Sequence, residues 1–270
     1  MNMPTWRELI AASGLPRAEA RGLAVHAAQR NAAWLIAHDT DEAEPGVVAV
    51  LRDLLARRQR GEPLAYIIGE REFYGLSLRV TPEVLIPRPE TELLVELAIE
   101  RLPKNGRLLD VGTGSGAIAI AVAVQRPDAQ IVACDISPGA LAVARDNAER
   151  LGADVHFVAS DGMTDVPGQA FDVIASNPPY IAEGDPHLSQ GDLRFEPAIA
   201  LHCGRDGLDM IRRLVRDAHA ALRPGGWLLC EHGYDQGEAC VSLWRSTGFG
   251  AVEDRRDLAG MARVCIGLKQ

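Results

Sequence analysis

The stretch Leu108-Leu109-Asp110-Val111-Gly112-Thr113-Gly114-Ser115-Gly116 decides how the chain is read. An apolar run of strand type enters a turn with three alternate glycines, and the apolar segment Ala117 to Val124 follows at helix length. Glycines at such a turn let backbone approach a ligand where a Cβ would collide. The spacing is G-x-G-x-G, distinct from the G-x-G-x-x-G that cradles a dinucleotide pyrophosphate. Asp110 precedes it, and a carboxylate there repels pyrophosphate but suits a ligand carrying an ammonium and a sulfonium. Taken alone, the same turn also serves as a tight strand-to-helix connection.

Working outward, strand and helix alternate from Pro103 onward. The pattern predicts strands over 107–111, 130–135, 154–158, 171–176, 226–232, 249–254 and 262–268. It predicts helices over 115–125, 137–151, 207–222 and 234–246. Such alternation means an α/β fold with a mostly parallel sheet covered on both faces, here of seven strands. The short turn from Asp257 to Gly260 makes the last two strands antiparallel. Before this region, Phe73 to Val80 alternates around Gly75 as a hairpin, and Pro89 opens a helix through Leu93, Leu94, Leu97 and Ile99.

The first 70 residues differ. Apolar residues recur at helical spacing in Trp6, Leu9, Ile10, then Leu23, Val25, His26, Trp34, Leu35, then Val47, Val50, Leu51, Leu54, Leu55. Pro16 and Pro45 stand near helix starts, and the segment reads as a bundle of about four helices. Residues 1–80 hold ten arginines and ten acidic residues, so the remainder carries the whole net charge of −9. The expected organisation is a helical substrate-recognition domain over 1–70, a hairpin linker over 71–88 and a catalytic domain over 89–270. Simple padding is the plainer reading of the bundle.

Composition excludes several classes. With 47% hydrophobic and 24% charged residues, 270 residues fold into one large or two unequal domains. An acidic chain is poorly suited to tight binding of nucleic-acid backbone. The longest apolar run, Ala117 to Val124, is far below the roughly 20 residues that span a bilayer, and no signal-peptide pattern opens the sequence. The expected location is cytoplasmic. Cys134, Cys203, Cys230, Cys240 and Cys265 form no C-x-x-C pair and read as reduced thiols, and the seven histidines show no metal-ligand spacing.

Two further features carry chemistry. Asp135 ends the strand after Asp110, where a carboxylate accepts both hydroxyls of a ribose; an N-cap is its plainer role, for which Ser137 competes. Together with the glycine turn it favours S-adenosylmethionine. Ser176-Asn177-Pro178-Pro179-Tyr180 follows an apolar strand and so lies at the carboxyl edge of the sheet. Two prolines remove two N–H donors and hold the backbone extended. The Asn177 side-chain oxygen and the Pro178 carbonyl are left as acceptors that hold both N–H groups of an –NH2. Tyr180 supplies a flat wall for a planar substrate.

These motifs resemble an amino-group methyltransferase of the class I S-adenosylmethionine-dependent fold. Phe73-Tyr74-Gly75, Ile86-Pro87-Arg88-Pro89-Glu90-Thr91-Glu92, Gly191-Asp192-Leu193-Arg194-Phe195-Glu196-Pro197, Glu231-His232-Gly233 and Arg256-Asp257-Leu258-Ala259-Gly260 narrow it. Over nearly the whole chain they resemble the release factor glutamine methyltransferases (the HemK/PrmC family). The resemblance implies methylation of the glutamine amide nitrogen in the Gly-Gly-Gln motif of class-1 peptide chain release factors, with S-adenosyl-L-homocysteine as coproduct. It assigns Gly112, Thr113, Gly114, Ser115 and Gly116 to the cofactor, Asp135 to its ribose, Asp161 and Gly162 to its adenine, and Asn177 close to it. Some relatives carry an aromatic residue in place of Gly162. Asn177, Pro178, Pro179 and Tyr180 take the glutamine, with Asn177, Pro178 and Tyr180 as the catalytic group. Arg88 is a loop ion pair or closes over the cofactor; Glu196 and His232 read as structural. The implied partner is a release factor, with no membrane, no direct nucleic-acid substrate, no metal, and a monomeric chain. Two alternatives remain: a nucleic-acid amino methyltransferase using the same turn on a flipped base, and an adaptor that binds the cofactor without turnover.

Overall fold

Local capping sets the first helix. The Thr5 hydroxyl accepts from the Glu8 backbone N–H at 3.2 Å, and the Glu8 carboxylate accepts from the Thr5 N–H at 2.8 Å, a reciprocal capping box. The computed structural model describes residues 3–168 and 170–270, and the chain divides into two units, one running through Glu70 and the other from Arg71. The first unit holds α1 (Trp6–Ala12), α2 (Arg17–Ala28), α3 (Ala32–Ala37), α4 (Pro45–Gln59) and α5 (Leu64–Ile68). Five helices stand where the spacing predicts about four, because α3 and α5 are too short for an apolar repeat to register. Leu23, Leu35 and Leu51 are fully buried at the centre of its own core. The inward face of α4 is Val48, Leu51, Leu54 and Leu55, whereas Val50 is half exposed. At 100° per residue, Val50 turns away from the stripe that Leu51 and Leu54 define.

At the start of the second unit, β1 (Glu70–Phe73), whose first residue ends the first unit, and β2 (Leu76–Arg79) form the hairpin. Its two-residue turn, Tyr74-Gly75, has positive φ at both positions (51° and 74°), the geometry whose twist matches the flanking strands. Then come α6 (Glu92–Arg101), β3 (Arg107–Val111), α7 (Ala117–Gln125), β4 (Gln130–Asp135), α8 (Pro138–Leu151), β5 (Val155–Ala159), β6 (Phe171–Ser176), α9 (Asp209–Ala221), β7 (Leu222–Glu231), α10 (Gly237–Thr247), β8 (Phe249–Arg256) and β9 (Ala262–Lys269). The seven-stranded sheet has the order β5-β4-β3-β6-β7-β9-β8 and is parallel except for β9, which runs antiparallel to both neighbours. This is the α/β sheet the alternation predicts. β7 begins at Leu222, earlier than the expected 226, because Phe171 already pairs with Leu222 before a register shift.

Both faces are covered, so successive strand residues are buried on opposite sides. Leu108, Val173 and Ala175 join one core with α6 and α7, while Leu109, Val111 and Ile174 join the other with α9 and α10. The chain winds outward from β3 through β4 to β5, then returns to β6 on β3's other side. That reversal opens a crevice at the carboxyl ends of β3 and β6. The register Val111↔Ser176 brings the glycine turn and the Asn-Pro-Pro-Tyr turn together there.

Candidate active site

The glycine turn is held rigidly from beneath. The Gly112 and Thr113 N–H groups donate to the Cys134 carbonyl at 2.9 and 3.0 Å, and the Gly114 N–H donates to Asp135 Oδ2 at 2.9 Å. Gly114 has φ +56°, and a Cβ built there meets nothing within 4 Å, so open space lies above it. Gly116 is different: its Cβ would come within 2.6 Å of Ile120 Cδ1, so this glycine serves packing against α7. Gly112, Thr113, Gly114 and Ser115 line the cavity above the turn, and Gly116 is not in that lining.

Asp110 departs from the expected arrangement. Its carboxylate does not reach toward a ligand but is fully enclosed under the turn, Oδ2 accepting from Thr113 Oγ1 (2.6 Å) and the Ala119 N–H (3.2 Å). It alternates with Leu109 onto the face that the start of α7 covers. Burial pushes its carboxyl up to about 7, against the two hydrogen bonds that favour the charge. Asp135 stays in the cavity wall. Ser137, not Asp135, caps α8, while Asp135 Oδ1 accepts from the Ser137 N–H at 2.9 Å. Each Asp135 oxygen thus keeps a free acceptor position.

The cavity measures 360 Å³, within the range of small-molecule sites, and its wall includes Arg88, Thr91, Asp161, Gly162 and Arg213. Arg213 donates to Asp161 Oδ1 at 2.6 Å and to the Asp161 carbonyl at 2.7 Å. Its guanidinium takes the space beside Gly162, 3.2 Å from where a Cβ would stand. Arg88 also faces the cavity and pairs with Glu196, whose other oxygen accepts from the Ile86 N–H at 3.0 Å. The buried Glu196 therefore fastens the segment 186–200 to the Ile-Pro-Arg-Pro segment. His232 is buried between the Gly233 carbonyl (2.8 Å) and Asp254 (3.1 Å), a structural setting.

Asn177 and Pro179 line the same cavity; Pro178 is buried behind them, and Tyr180 packs partly into the core under α9 and α10. Asn177 Nδ2 donates to Thr91 Oγ1 at 3.1 Å, and Thr91 Oγ1 donates to Glu231 Oε2 at 2.7 Å. The Tyr180 hydroxyl donates to Glu231 Oε1 at 3.3 Å, and burial raises its phenol above the ordinary range. Burial likewise pushes the Glu231 carboxyl up to about 7, opposing the bonds from Thr91 and Tyr180. Asn177 Oδ1 is buried with no partner, and among the described residues no donor reaches the Pro178 carbonyl. Two acceptors thus remain unpartnered in the segment whose Asn177 and Pro179 line the cavity. From sequence alone neither Thr91 nor Glu231 has a role, although both lie inside quoted motifs; a threonine just after the Pro-Arg-Pro turn and a lone acid ending an apolar strand were the available signal. Among the described residues no cluster of His, Cys, Asp or Glu is placed to hold a metal, and all five cysteines are free thiols.

The sheet order and the site at its reversal fit an S-adenosylmethionine-dependent enzyme. Solved structures share the fold: a T. thermophilus 16S rRNA methyltransferase in complex with AdoMet and guanosine (TM-score 0.56, 22% identity, 74% of this chain and 50% of that one) and a methyltransferase from Pyrococcus furiosus (TM-score 0.56, 21% identity, 80% and 98%). The Methyltransferase small domain family model matches residues 89–192. The chain is a methyltransferase of the class I fold. The PrmC N-terminal domain model matches residues 5–69. Release factor glutamine methyltransferases of Bordetella pertussis (52% identical, 98% of this chain and 99% of the relative) and Escherichia coli (44%, 95% and 93%) match almost end to end. The chain belongs to the release factor glutamine methyltransferase family.

Proposed function

We propose that this chain transfers the methyl group of S-adenosylmethionine to the side-chain amide nitrogen of the glutamine in the Gly-Gly-Gln motif of class-1 release factors, giving N5-methylglutamine. The observation that carries this reading is the buried, partnerless Oδ1 of Asn177, a residue of the cavity wall, followed along the chain by the unengaged Pro178 carbonyl. A primary amide offers two N–H donors in one plane, the complement of two fixed acceptors.

The cofactor supplies, when bound, an activated methyl on a sulfonium and leaves as S-adenosylhomocysteine. The protein's share is orientation. The Gly112-to-Ser115 backbone leaves room for the cofactor, Asp135 would accept from its ribose hydroxyls, and Asp161 and Gly162 would hold its adenine. Asn177 and Pro178 grip the amide N–H groups and so aim the nitrogen lone pair. Amide nitrogen is a weak nucleophile, and fixing both reactants in line contributes on the order of 7–11 kcal/mol at best. The same two acceptors stabilise positive charge as it develops on nitrogen. Pro179 walls the planar side chain, Tyr180 supports the turn from behind through its bond to Glu231, and the proton leaves to water. The N-terminal unit recognises the body of the release factor, and the enzyme acts in the cytoplasm as a monomer.

The nucleic-acid alternative needs free cationic surface. The arginine cluster in α4 is instead engaged within its own unit, Arg57 with Glu62 at 2.5 Å and Arg58 with Glu19 at 2.6 Å. The decisive experiment incubates purified chain and cofactor with a class-1 release factor, DNA and RNA in parallel, followed by mass spectrometry of the Gly-Gly-Gln peptide. One added methyl on its glutamine, with none on nucleic acid, is expected; methylated nucleic acid and an unchanged peptide would reject the assignment.

A further inference from the structure

We propose that Glu231, acting through Thr91, sets which end of the Asn177 amide faces the substrate. This rests on reading Asn177 as the glutamine-amide acceptor. Asn177 has two nearly isosteric ends, and only the oxygen end helps: an –NH2 turned into the cavity would meet the substrate's own –NH2.

Polarity is passed along the chain of bonds. Glu231 as a carboxylate can only accept. Its Oε2 takes the Thr91 proton at 2.7 Å and its Oε1 the Tyr180 proton at 3.3 Å. A threonine hydroxyl has a single proton, so Thr91 Oγ1 presents only lone pairs to its other neighbour. Asn177 must then offer Nδ2, as it does at 3.1 Å, which leaves Oδ1 without a partner in a residue that lines the cavity. Thr91 and Glu231 are 4% and 1% exposed, so water does not readily substitute for either. Both are positioning residues.

Protonation of Glu231 undoes the device. A carboxylic acid can donate to Thr91, which frees the Thr91 proton for Asn177 Oδ1 and allows the amide to turn over. The charged and titratable groups around Glu231 are Arg263 on β9, Glu90 beside Thr91, Tyr180 after β6 with Arg88 acting on it, and His232 next along β7. Because the carboxylate is the competent form, the methyl-transfer rate should rise with pH as Glu231 loses its proton.

The test uses the full chain as wild type, Thr91→Val, Thr91→Ser and Glu231→Gln, with a class-1 release factor and S-adenosylmethionine. Thr91→Val and Glu231→Gln should each lower kcat by about 10–100-fold, with cofactor Kd and release-factor KM within about threefold of wild type. Both should lose the acid limb of the pH profile. Thr91→Ser, which keeps the hydroxyl, should restore most of the rate lost by Thr91→Val. Equal losses in the Ser and Val variants would assign Thr91 to packing and overturn the proposal, as would a wild-type kcat in Thr91→Val or an unchanged acid limb in Glu231→Gln. The side-chain amide NMR signals of Asn177 provide a readout that needs no substrate. They should be protected from exchange in wild type and lose that protection in Thr91→Val; identical protection in both overturns the proposal. An inactive wild type with the expected NMR change would reject the release-factor reading and leave the orienting chain standing.

Discussion

Asn177 is half engaged: its –NH2 is held by Thr91 and its oxygen is idle. Replacing it with alanine removes one of two acceptors without touching the glycine turn or Asp135. We expect Asn177→Ala to lower single-turnover methyl transfer by about 10²–10³-fold, with cofactor affinity, measured by calorimetry, changed only a few-fold. An unaltered transfer rate at saturating substrates would remove the acceptor pair from the mechanism. Asp110 makes a separate prediction, about stability. Its folded carboxyl is raised to about 7 from the ordinary 3.8, so the native state binds its proton more tightly than the unfolded chain does. The stabilisation from this group is therefore complete below about pH 4 and is lost as pH rises through 7. Asp110→Asn should flatten that fall, and urea unfolding at pH 5 and pH 8 measures it. A wild-type slope in the variant would mean that Asp110 is not the group responsible.

Elements meet at the site through a few buried polar side chains. Asn147 on α8 is fully buried and joins three segments: its Oδ1 accepts from the Arg79 N–H at 2.7 Å, and its Nδ2 donates to the Arg79 and Ser115 carbonyls, both at 2.9 Å. It thus ties the hairpin strand β2 and the glycine turn to one helix. Asn147→Ala leaves these backbone groups without their partner and is expected to cost about 2–4 kcal/mol, read from denaturant midpoints. Cofactor affinity should weaken as well, because the turn loses the anchor at Ser115. A stable variant with normal binding would show that the pairing of β3 and β4 alone holds the turn.

The molecule as a whole is two units with separate cores, one built on Leu23, Leu35 and Leu51, the other on the two faces of the sheet. A fragment from Glu70 to Gln270 keeps the hairpin, the sheet and every residue of the candidate site. It is expected to fold, to bind S-adenosylmethionine like the full chain, and to methylate intact release factor at least tenfold more slowly. Full activity in the fragment would reduce residues 1–69 to padding.

Much was legible from the order of residues because it depends on near neighbours. Alternating apolar runs gave the sheet and its helices, the G-x-G-x-G turn and the double proline gave the two loops at its edge, and Asp135 fell at the end of β4. Those signals rest on backbone preference and turn chemistry, which act within a few residues. Side-chain partnership does not. Thr91 and Glu231 are 140 positions apart and meet only because α6 packs beside β7. The turning of Asp110 under α7, the filling of space beside Gly162 by Arg213 and the packing role of Gly116 likewise depend on strand register and helix seating. Spacing placed Asn177 at the sheet edge. Which end of its amide is left without a partner was decided by a buried carboxylate from another strand, because a hydrogen bond's direction depends on what lies beyond both partners.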